Sequence, residues 1–402
     1  MINLEVPKKA GALINQAYQA AAEVFRPISR KYDRAEHTYP SELDMFAALL
    51  DGLNSSGEGG AGAAGVRRSG GSDDKEKGNR NGANLNVVLG TIEMCWGDVG
   101  LLLSMPRQGL GNAAIGSVAT DEQLERFSGM WAAMAITEPA FGSDSAAVST
   151  TARLDGDHYV LNGEKIFVTS GERADAVVVW ATLDKSKGRA AIKSFVVEKG
   201  TPGFEVVRVE HKLGIRASDT AVLRFENCRV PRENLLGSPE IDTAKGFAGV
   251  MQTFDNTRPL VAAMAIGVAR AALDETREIL TSAGIKIDYD RPANNQHAAA
   301  AEFLRLEADY ESAYLLTLES AWMADNRKPN SLQASMAKAK AGRSVVEIAL
   351  KCVELTGAYS EESLLEKWAR DAKILDIFEG TQQIQQLIVA RRVLGKTSAE
   401  LK

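Results

Sequence analysis

A carboxylate beside a glycine, at a break between two helical patterns, is the part of this sequence best suited to chemistry. Glu379 and Gly380 lie between an amphipathic pattern over Trp368–Ile377 and a second pattern over residues 384–394. Glycine lets a ligand approach the backbone closely, so the glutamate could face a cavity. The alternative from these residues alone is a helix end with glycine at its cap and a solvated glutamate.

Three further motifs precede this segment. Residues 134–144 read Met-Ala-Ile-Thr-Glu-Pro-Ala-Phe-Gly-Ser-Asp, and residues 161–171 read Leu-Asn-Gly-Glu-Lys-Ile-Phe-Val-Thr-Ser-Gly. Residues 254–259 read Phe-Asp-Asn-Thr-Arg-Pro. Together with the Glu379 segment, in this order and spacing, they resemble the acyl-CoA dehydrogenase family of flavoproteins. The resemblance runs from about Met134 to Leu394, and the first 130 residues share it only loosely.

The resemblance implies a reaction with three requirements. A base removes the proton α to a thioester carbonyl, a flavin accepts hydride, and hydrogen-bond donors stabilise the charge on the carbonyl oxygen. By resemblance Glu379 is the base, and its own backbone N–H helps to hold the thioester carbonyl. Some family members carry the base at the position of Thr257, which leaves Glu379 as the matching carboxylate here.

The resemblance also carries flavin contacts over to individual residues. FAD is the implied cofactor, with the Thr137 hydroxyl at its N1/O2 edge and Thr169 near N5. Phe167 stands where the family usually has Trp, so an aromatic ring is kept. For Ile136 and Val168, packing in a β core is an equal alternative to direct contact. The full set of matched positions is Met134, Ile136, Thr137, Ser143, Phe167, Val168, Thr169, Thr381 and Gln383.

A second set matches the acyl-CoA side of the family's site. Arg258 is expected to hold the CoA portion through charge-assisted hydrogen bonds. Without the other motifs, an arginine that precedes Pro259 would be read as a solvated surface charge. The matched positions are Ser143, Asp255, Thr257, Arg258 and Gly380.

Two elements with which family members grip a neighbouring subunit's flavin have no counterpart here. Ala283–Ile287 replaces an Arg-x-x-Phe-Gly stretch, with Ala at the Arg position and Lys at the Phe position. Cys352–Thr356 replaces a Gln-x-x-Gly-Gly run. The resemblance therefore implies an α2β2 hetero-oligomer with a paralogous subunit, and a homo-oligomer is the alternative.

Three functions follow from these residues. The expected one is dehydrogenation of an acyl-CoA to a trans-2-enoyl-CoA, with an electron-transfer flavoprotein as acceptor. The first alternative is an oxidase that uses oxygen. The second is a subunit that supports an active paralogue, against which the retained Glu379 argues.

Composition limits the other classes of function. The 402 residues are 45% hydrophobic and 25% charged, an ordinary globular balance. The net charge of −6 does not favour nucleic acid, and neither a signal pattern nor a membrane-spanning apolar run is expected. Cys95, Cys228 and Cys352 show neither disulfide nor metal spacing, so we expect no metal site and a reducing cytoplasm.

Three regions must position the candidate residues. Periodicity predicts helices over residues 1–126, a flavin-binding β domain over 127–239, and helices that carry the base over 240–402. The glycine-, serine- and charge-rich stretch 52–84 buries too little apolar surface to order alone, so we expect it to be mobile. The resemblance implies the same α+β order: a helical domain, a small β-barrel or sandwich, and a four-helix bundle.

Local signals predict two turns and one helix end. Asp155-Gly156-Asp157 and Leu161-Asn162-Gly163-Glu164 both have the residue types of hairpin turns. Ser331 is expected to cap a helix that ends just before Gly357.

Overall fold

The computed structural model describes residues 4–55, 82–107, 110–241, 248–357, 363–397 and 400. Most of the predicted mobile stretch 52–84 therefore lies outside the described residues. Helices come first in the chain, a β-sheet follows, and helices complete it. This order confirms the predicted α+β class.

Helices fill the N-terminal region as predicted. They are α1 (Gly11–Ala20), α2 (Arg26–Arg34), α3 (Glu42–Ser55), α4 (Ala83–Leu103), α5 (Leu110–Val118) and α6 (Asp121–Arg126). A π-helical stretch, Ala21–Phe25, joins α1 to α2. Thr120 and Gln123 form a capping box at the start of α6, which satisfies otherwise unpaired backbone groups there.

Helix α4 is a long and strongly apolar helix. It is long and apolar enough to cross a membrane by length and composition, contrary to the expectation from the sequence. However, 89% of its apolar window is buried inside the protein. The helix packs against α7 of the C-terminal region, so its hydrophobicity serves the core.

The middle region forms one sheet. Its described strands are β1 (Ala132–Ala135), β2 (Thr151–Asp155), β3 (His158–Thr169), β4 (Ala176–Thr182), β5 (Ile192–Glu198), β6 (Phe204–Val209) and β7 (Thr220–Pro231). The strand order is β1-β4-β2-β3-β7-β6, and β5 pairs with β4. Only the pairs β1–β4 and β2–β4 within these described strands are parallel.

The first predicted turn is confirmed, but the second is wrong. Asp155 and His158 close the hairpin between β2 and β3. Residues 161–164 instead lie inside β3, where the register with β7 shifts between Leu161 and Gly163. A Cβ on Gly163 would meet the Thr150 hydroxyl at 2.4 Å, so the glycine serves a bulge and a close approach of strands.

Five helices follow the sheet in the described residues. They are α7 (Ala248–Ser282), α8 (Ala298–Asp325), α9 (Ser331–Thr356), α10 (Leu365–Leu375) and α11 (Gln382–Leu394). Helices α7, α8 and α9 pack on one another, and α10 and α11 pack on α9. Ser331 is the first helical residue of α9, and Asn330 precedes it, so the predicted cap is off by one position. Gly357 ends the helix with φ 63°, as expected.

A buried charge cluster fixes α10, the helix that leads to Glu379. Lys367 lies 2.7 Å from Asp98 of α4 and 2.5 Å from Asp371. The other side of this cluster reaches the sheet region, because Asp371 accepts the backbone N–H of Ile215 over 2.6 Å. Helix α10 is thereby attached to both neighbouring regions. The division into three domains at residues 126 and 239 remains a prediction.

Candidate active site

The turn between α10 and α11 presents Glu379. Glu379 has φ 56° and Gly380 has φ 93°, so both lie in the left-handed region, which is costly for a glutamate. Thr381 caps α11 by accepting the backbone N–H of Ile384. The simple glycine-capped helix end considered from the sequence is therefore not what forms. The chain holds a non-glycine residue in a sparsely populated conformation at this point.

The carboxyl group of Glu379 faces helix α7. The Thr257 hydroxyl donates a hydrogen bond to Glu379 Oε2 over 2.9 Å. Burial raises the pKa of the Glu379 carboxyl above its ordinary value, while the Thr257 hydrogen bond and the charges of Arg258 and Lys338 act to lower it. The residue as a whole is partly exposed, although its carboxyl group is desolvated.

Helix α7 brings two matched substrate positions to this carboxyl group. Thr257 is 1% exposed and Arg258 is 3% exposed. The alternative of a solvated surface arginine is therefore wrong. The side chain of Asp255 lies outside the described residues.

The flavin-matched residues of the two strand motifs lie where β1 and β3 end, whereas Thr381 and Gln383 lie at the start of α11. The Ile166 backbone N–H donates to the Thr137 carbonyl over 2.9 Å, which joins the two motifs. Phe167 has φ 57° and is 64% exposed, at a point where β3 loses register with β7. An exposed aromatic ring on a sharply bent strand is suited to cover a flat ligand.

The apolar members of this set divide between the core and its margin. Val168 is buried within the main core of the sheet, and Ile136 packs with Val148 and Trp180. Their side chains pack in the core, which leaves their backbone available for contact with a ligand, and Met134 is partly buried beside them.

The remaining matched residues are more accessible. Thr169, Thr381 and Gly380 are partly exposed, and Ser143 and Gln383 are exposed.

Comparison with known proteins agrees with this geometry. Residues 133–228 match the acyl-CoA dehydrogenase middle domain, and residues 244–394 match the acyl-CoA dehydrogenase C-terminal domain. The short-chain specific acyl-CoA dehydrogenase of Clostridium acetobutylicum is 35% identical over 329 residues, which are 79% of this chain and 85% of that protein. The chain belongs to the acyl-CoA dehydrogenase family.

Solved structures extend the likeness over nearly the whole chain. Butyryl-CoA dehydrogenase from Megasphaera elsdenii has a TM-score of 0.83 at 29% identity, over 98% of this chain and all of that one. A chain from a structure described as the electron transferring flavoprotein of Acidaminococcus fermentans has a TM-score of 0.82 at 30% identity, with the same coverage. This acyl-CoA dehydrogenase family member is an oxidoreductase and an FAD-dependent flavoprotein, of a family that acts in fatty acid β-oxidation.

The residues present fit such a flavin. The ends of β1 and β3 combine an exposed aromatic ring, Phe167, with the hydroxyl groups of Thr137 and Thr169. Ser143 adds an exposed hydroxyl group on the loop after β1. Hydroxyl groups can donate to or accept from the polar edge of an isoalloxazine ring, and the aromatic ring can stack on its face.

A buried ion pair behind these residues escaped the sequence analysis. Lys165 Nζ lies 2.8 Å from Glu138 Oε1 and also donates to the Ile136 carbonyl over 3.1 Å. Burial alone would raise the pKa of Glu138, but Lys165 and hydrogen bonds from Ser149 and Thr150 lower it to about 2. The pair ties both flavin motifs to the start of β2. Glu138 lies in the motif 134–144 and Lys165 in the motif 161–171. A carboxylate in one motif and an amine in the other could have indicated an ion pair between them.

Two more residues at the base were missed. Lys338 Nζ donates to the Gly380 carbonyl over 2.8 Å, and Gln385 Nε2 donates to the Glu379 carbonyl over 3.0 Å. Both side chains are fully buried. A lysine among alanines on α9, and a glutamine at the core-facing position of α11, were the sequence signals.

A histidine cluster lies between α2 and the sheet. Ligand atoms of Glu36, His37 and His211 lie within 4.8 Å of one another. Arg216 is 3.2 Å from the Glu36 carboxylate, and the Lys212 backbone N–H donates to it over 2.8 Å. Because the Glu36 carboxylate already has these partners, we interpret the cluster as a polar contact between the end of α2 and the sheet region. The expectation that the protein lacks a metal site stays a prediction.

Proposed function

We propose that this protein dehydrogenates an acyl-CoA thioester between Cα and Cβ, giving the trans-2-enoyl-CoA. The observation that carries the proposal is the Glu379 carboxyl group, desolvated and held by Thr257 on a strained turn. A base with a raised pKa is better matched to a weakly acidic α-proton than an ordinary carboxylate. The related short-chain specific dehydrogenase and butyryl-CoA dehydrogenase favour a short acyl chain.

In this proposal Glu379 removes the α-proton. Because the Thr257 hydroxyl already donates a hydrogen bond to Oε2, Oε1 accepts the α-proton. The Glu379 backbone N–H donates to the thioester carbonyl, which stabilises the negative charge that develops there. FAD, held by the flavin-matched residues, would supply the hydride acceptor for the β-hydrogen.

Binding roles follow the matched positions. Thr137 and Thr169 would hydrogen-bond the flavin ring, and Phe167 would pack on it. Ser143 would bind both the cofactor and the substrate. The remaining proposed cofactor contacts are Met134, Ile136, Val168, Thr381 and Gln383. The remaining proposed substrate contacts are Asp255, Thr257, Arg258 and Gly380.

Electrons must then leave the reduced flavin. We propose an electron-transfer flavoprotein as acceptor, supported by the structural likeness to a chain from such a system. An oxidase would instead show rapid reoxidation of its reduced flavin in air. Three buried free cysteines, Cys95, Cys228 and Cys352, support a cytoplasmic location, because reducing compartments keep thiols unpaired.

The test is enoyl-CoA formation across a panel of acyl-CoAs, beginning with butyryl-CoA and an artificial electron acceptor. Glu379→Gln should keep its bound flavin and lose several orders of magnitude in turnover, because α-proton removal lacks an acceptor. Glu122→Gln, an exposed glutamate on α6, is the matched control and should keep its activity. Equal turnover in the Glu379 variant would move the base elsewhere.

A further inference from the structure

Lys338 is a buried cation whose hydrogen bond goes to the backbone beside the base. Its side chain is 0% exposed, and Nζ donates to the Gly380 carbonyl over 2.8 Å. Burying an ammonium group is costly unless charge and hydrogen bonds compensate it. The carboxylates of Asp376 and Glu379 offset part of that cost, but burial outweighs them and lowers the pKa of Lys338 to about 8. The lysine therefore sits in a site built around the Glu379 turn.

The packing of α9 explains how Lys338 reaches this turn. Gly342 lies one helical turn further along the same face. A Cβ at Gly342 would meet the Leu375 carbonyl at 2.8 Å, so α9 approaches the end of α10 very closely. Residues 376–380 follow directly from that contact. Helix α9 thus holds the lysine against the segment that carries the base.

The turn itself needs support. Glu379 and Gly380 both have positive φ, and Gln385 Nε2 donates to their carbonyls over 3.0 and 3.3 Å. Gln385 is neutral, so it can hold the backbone but adds no charge. Lys338 binds the Gly380 carbonyl and also brings a positive charge. Strained conformations persist only where such surroundings over-determine them.

We propose that Lys338 is a positioning residue for Glu379: it fixes the turn through the Gly380 carbonyl and stabilises the ionised carboxylate by its charge. This inference rests on the proposed function, in which Glu379 must be ionised before it can take a proton. Lys338 itself touches neither substrate nor flavin in this account. Its two contributions, hydrogen bond and charge, can be separated by substitution.

Charged and polar groups face Glu379 from two helices: Thr257 and Arg258 come from α7, and Lys338 comes from α9. Asp376, which follows α10, acts on Lys338. Burial raises the pKa of Glu379, and both cations oppose that rise. Removing Lys338 leaves Arg258 as the opposing cation at Glu379, while Asp376 keeps Lys373 at 3.9 Å. The pKa of Glu379 should therefore rise further.

The experiment compares wild type, Lys338→Met and Lys338→Gln as flavin-loaded enzymes, with Lys340→Met as control. Lys340 is on the same helix but is only partly buried and pairs with Asp309. The readouts are the pH profile of kcat with butyryl-CoA and a 13C NMR titration of labelled glutamate carboxyl groups. The Glu379 resonance is assigned by its loss in Glu379→Gln. Thermal melting and flavin content verify folding.

Both Lys338 variants should move the Glu379 titration and the acid limb of kcat to higher pH by about one unit, since an opposite charge nearby typically shifts a carboxyl pKa by 1–3 units. At pH values well below the Glu379 pKa this costs about tenfold in kcat, with recovery at higher pH. Lys338→Gln retains a donor for the Gly380 carbonyl and should keep a higher kcat at its optimum than Lys338→Met.

An unmoved resonance in either folded variant, or an equal shift in Lys340→Met, would overturn the inference. Should Lys338→Met not fold, Lys338→Gln decides the question alone. A wild-type enzyme that titrates as described but forms no enoyl-CoA would overturn the proposed function instead. The NMR readout needs no substrate, so the two failures are distinguishable.

Discussion

Glu379 concentrates two unfavourable features at one position, a left-handed backbone and a desolvated carboxyl group. Either alone destabilises a folded protein, and their coincidence is typical of sites where strain serves function. Thr257 occupies the position at which some relatives carry the base, and its hydroxyl touches Glu379 Oε2. The two positions therefore face the same space, which explains in physical terms how a base could be supplied from either.

The raised pKa of Glu379 predicts a pH-dependent stability difference. Between the ordinary glutamate pKa, about 4.3, and the raised value, the folded chain binds more protons than the unfolded one. Wild-type stability therefore loses this contribution as pH rises through that window. Glu379→Gln should gain stability relative to wild type as pH rises from the ordinary glutamate pKa through the raised one, measured by urea unfolding. A difference that stays constant with pH, or an equal trend in Glu122→Gln, would contradict this.

Gly380 offers a second prediction at the residue scale. With φ 93°, a Cβ there would be strained and would meet Gln385 Nε2 at 2.5 Å. Gly380→Ala should lose about 1–3 kcal/mol of stability from strain alone, and enoyl-CoA formation should fall with it because the turn that carries the base is displaced. Gly357→Ala is the matched control, since φ is 63° and open space surrounds its Cβ. If both variants keep full activity, the turn geometry is not critical.

Helices and strands could be predicted from the sequence where the periodicity of apolar residues was strong. The helix predicted from Ser331 to just before Gly357 is observed over Ser331–Thr356, because small residues on one face of α9 pack on α7 and α10. The predicted Asn-Gly turn at residues 162–163 failed, because the same dipeptide suits a bulge and only tertiary pairing decides between them. Local patterns contain no information about the strand across the sheet.

The site shows the same division between local and tertiary information. Glu379, Thr257 and Arg258 could be predicted as site residues because they belong to the motif 254–259 and to the Glu379 segment. The structure brings the three residues together. The contacts of Lys165 with Glu138, and of Lys338 with Gly380, join residues 27 and 42 positions apart. Such pairs depend on how β1 meets β3 and how α9 meets α10. A single sequence does not specify those contacts.

The buried Glu138–Lys165 pair should matter more than an exposed pair. Lys165→Met leaves Glu138 buried without its cation, for which we expect a loss of about 3–5 kcal/mol in the free energy of unfolding. The double variant Glu138→Gln with Lys165→Met should recover part of that loss. Arg229→Gln, at the exposed pair with Asp155, should cost at most about 1 kcal/mol. The free energies of unfolding are measured with urea. Equal losses in Lys165→Met and Arg229→Gln would show that the buried pair does not stabilise β1 and β3 more than an exposed pair does.

At the scale of the whole molecule, the described chain leaves apolar surface on α11. Leu387, Val393 and Leu394 are 43%, 66% and 60% exposed. Exposed apolar side chains in a group of this kind mark association surfaces. Ala283, which stands at the position of the family's flavin-gripping Arg, is exposed just after α7. Association is therefore favoured, but a second copy of this chain would bring an alanine, not an arginine, from position 283.

We accordingly predict that the chain alone holds FAD weakly or substoichiometrically, and that its complete form is an α2β2 hetero-oligomer with a paralogue carrying the missing Arg and aromatic residue. A charge-assisted hydrogen bond to a phosphate contributes roughly 1.5–3 kcal/mol, about one to two decades in affinity. Flavin-to-protein ratio and native mass, measured with and without candidate paralogues, test this. Ala283→Arg should raise FAD affinity in the chain alone by about tenfold, whereas Ala283→Gln should do little. A wild-type homotetramer with full FAD occupancy and full activity would contradict the prediction, because the site would then be complete without a foreign cation.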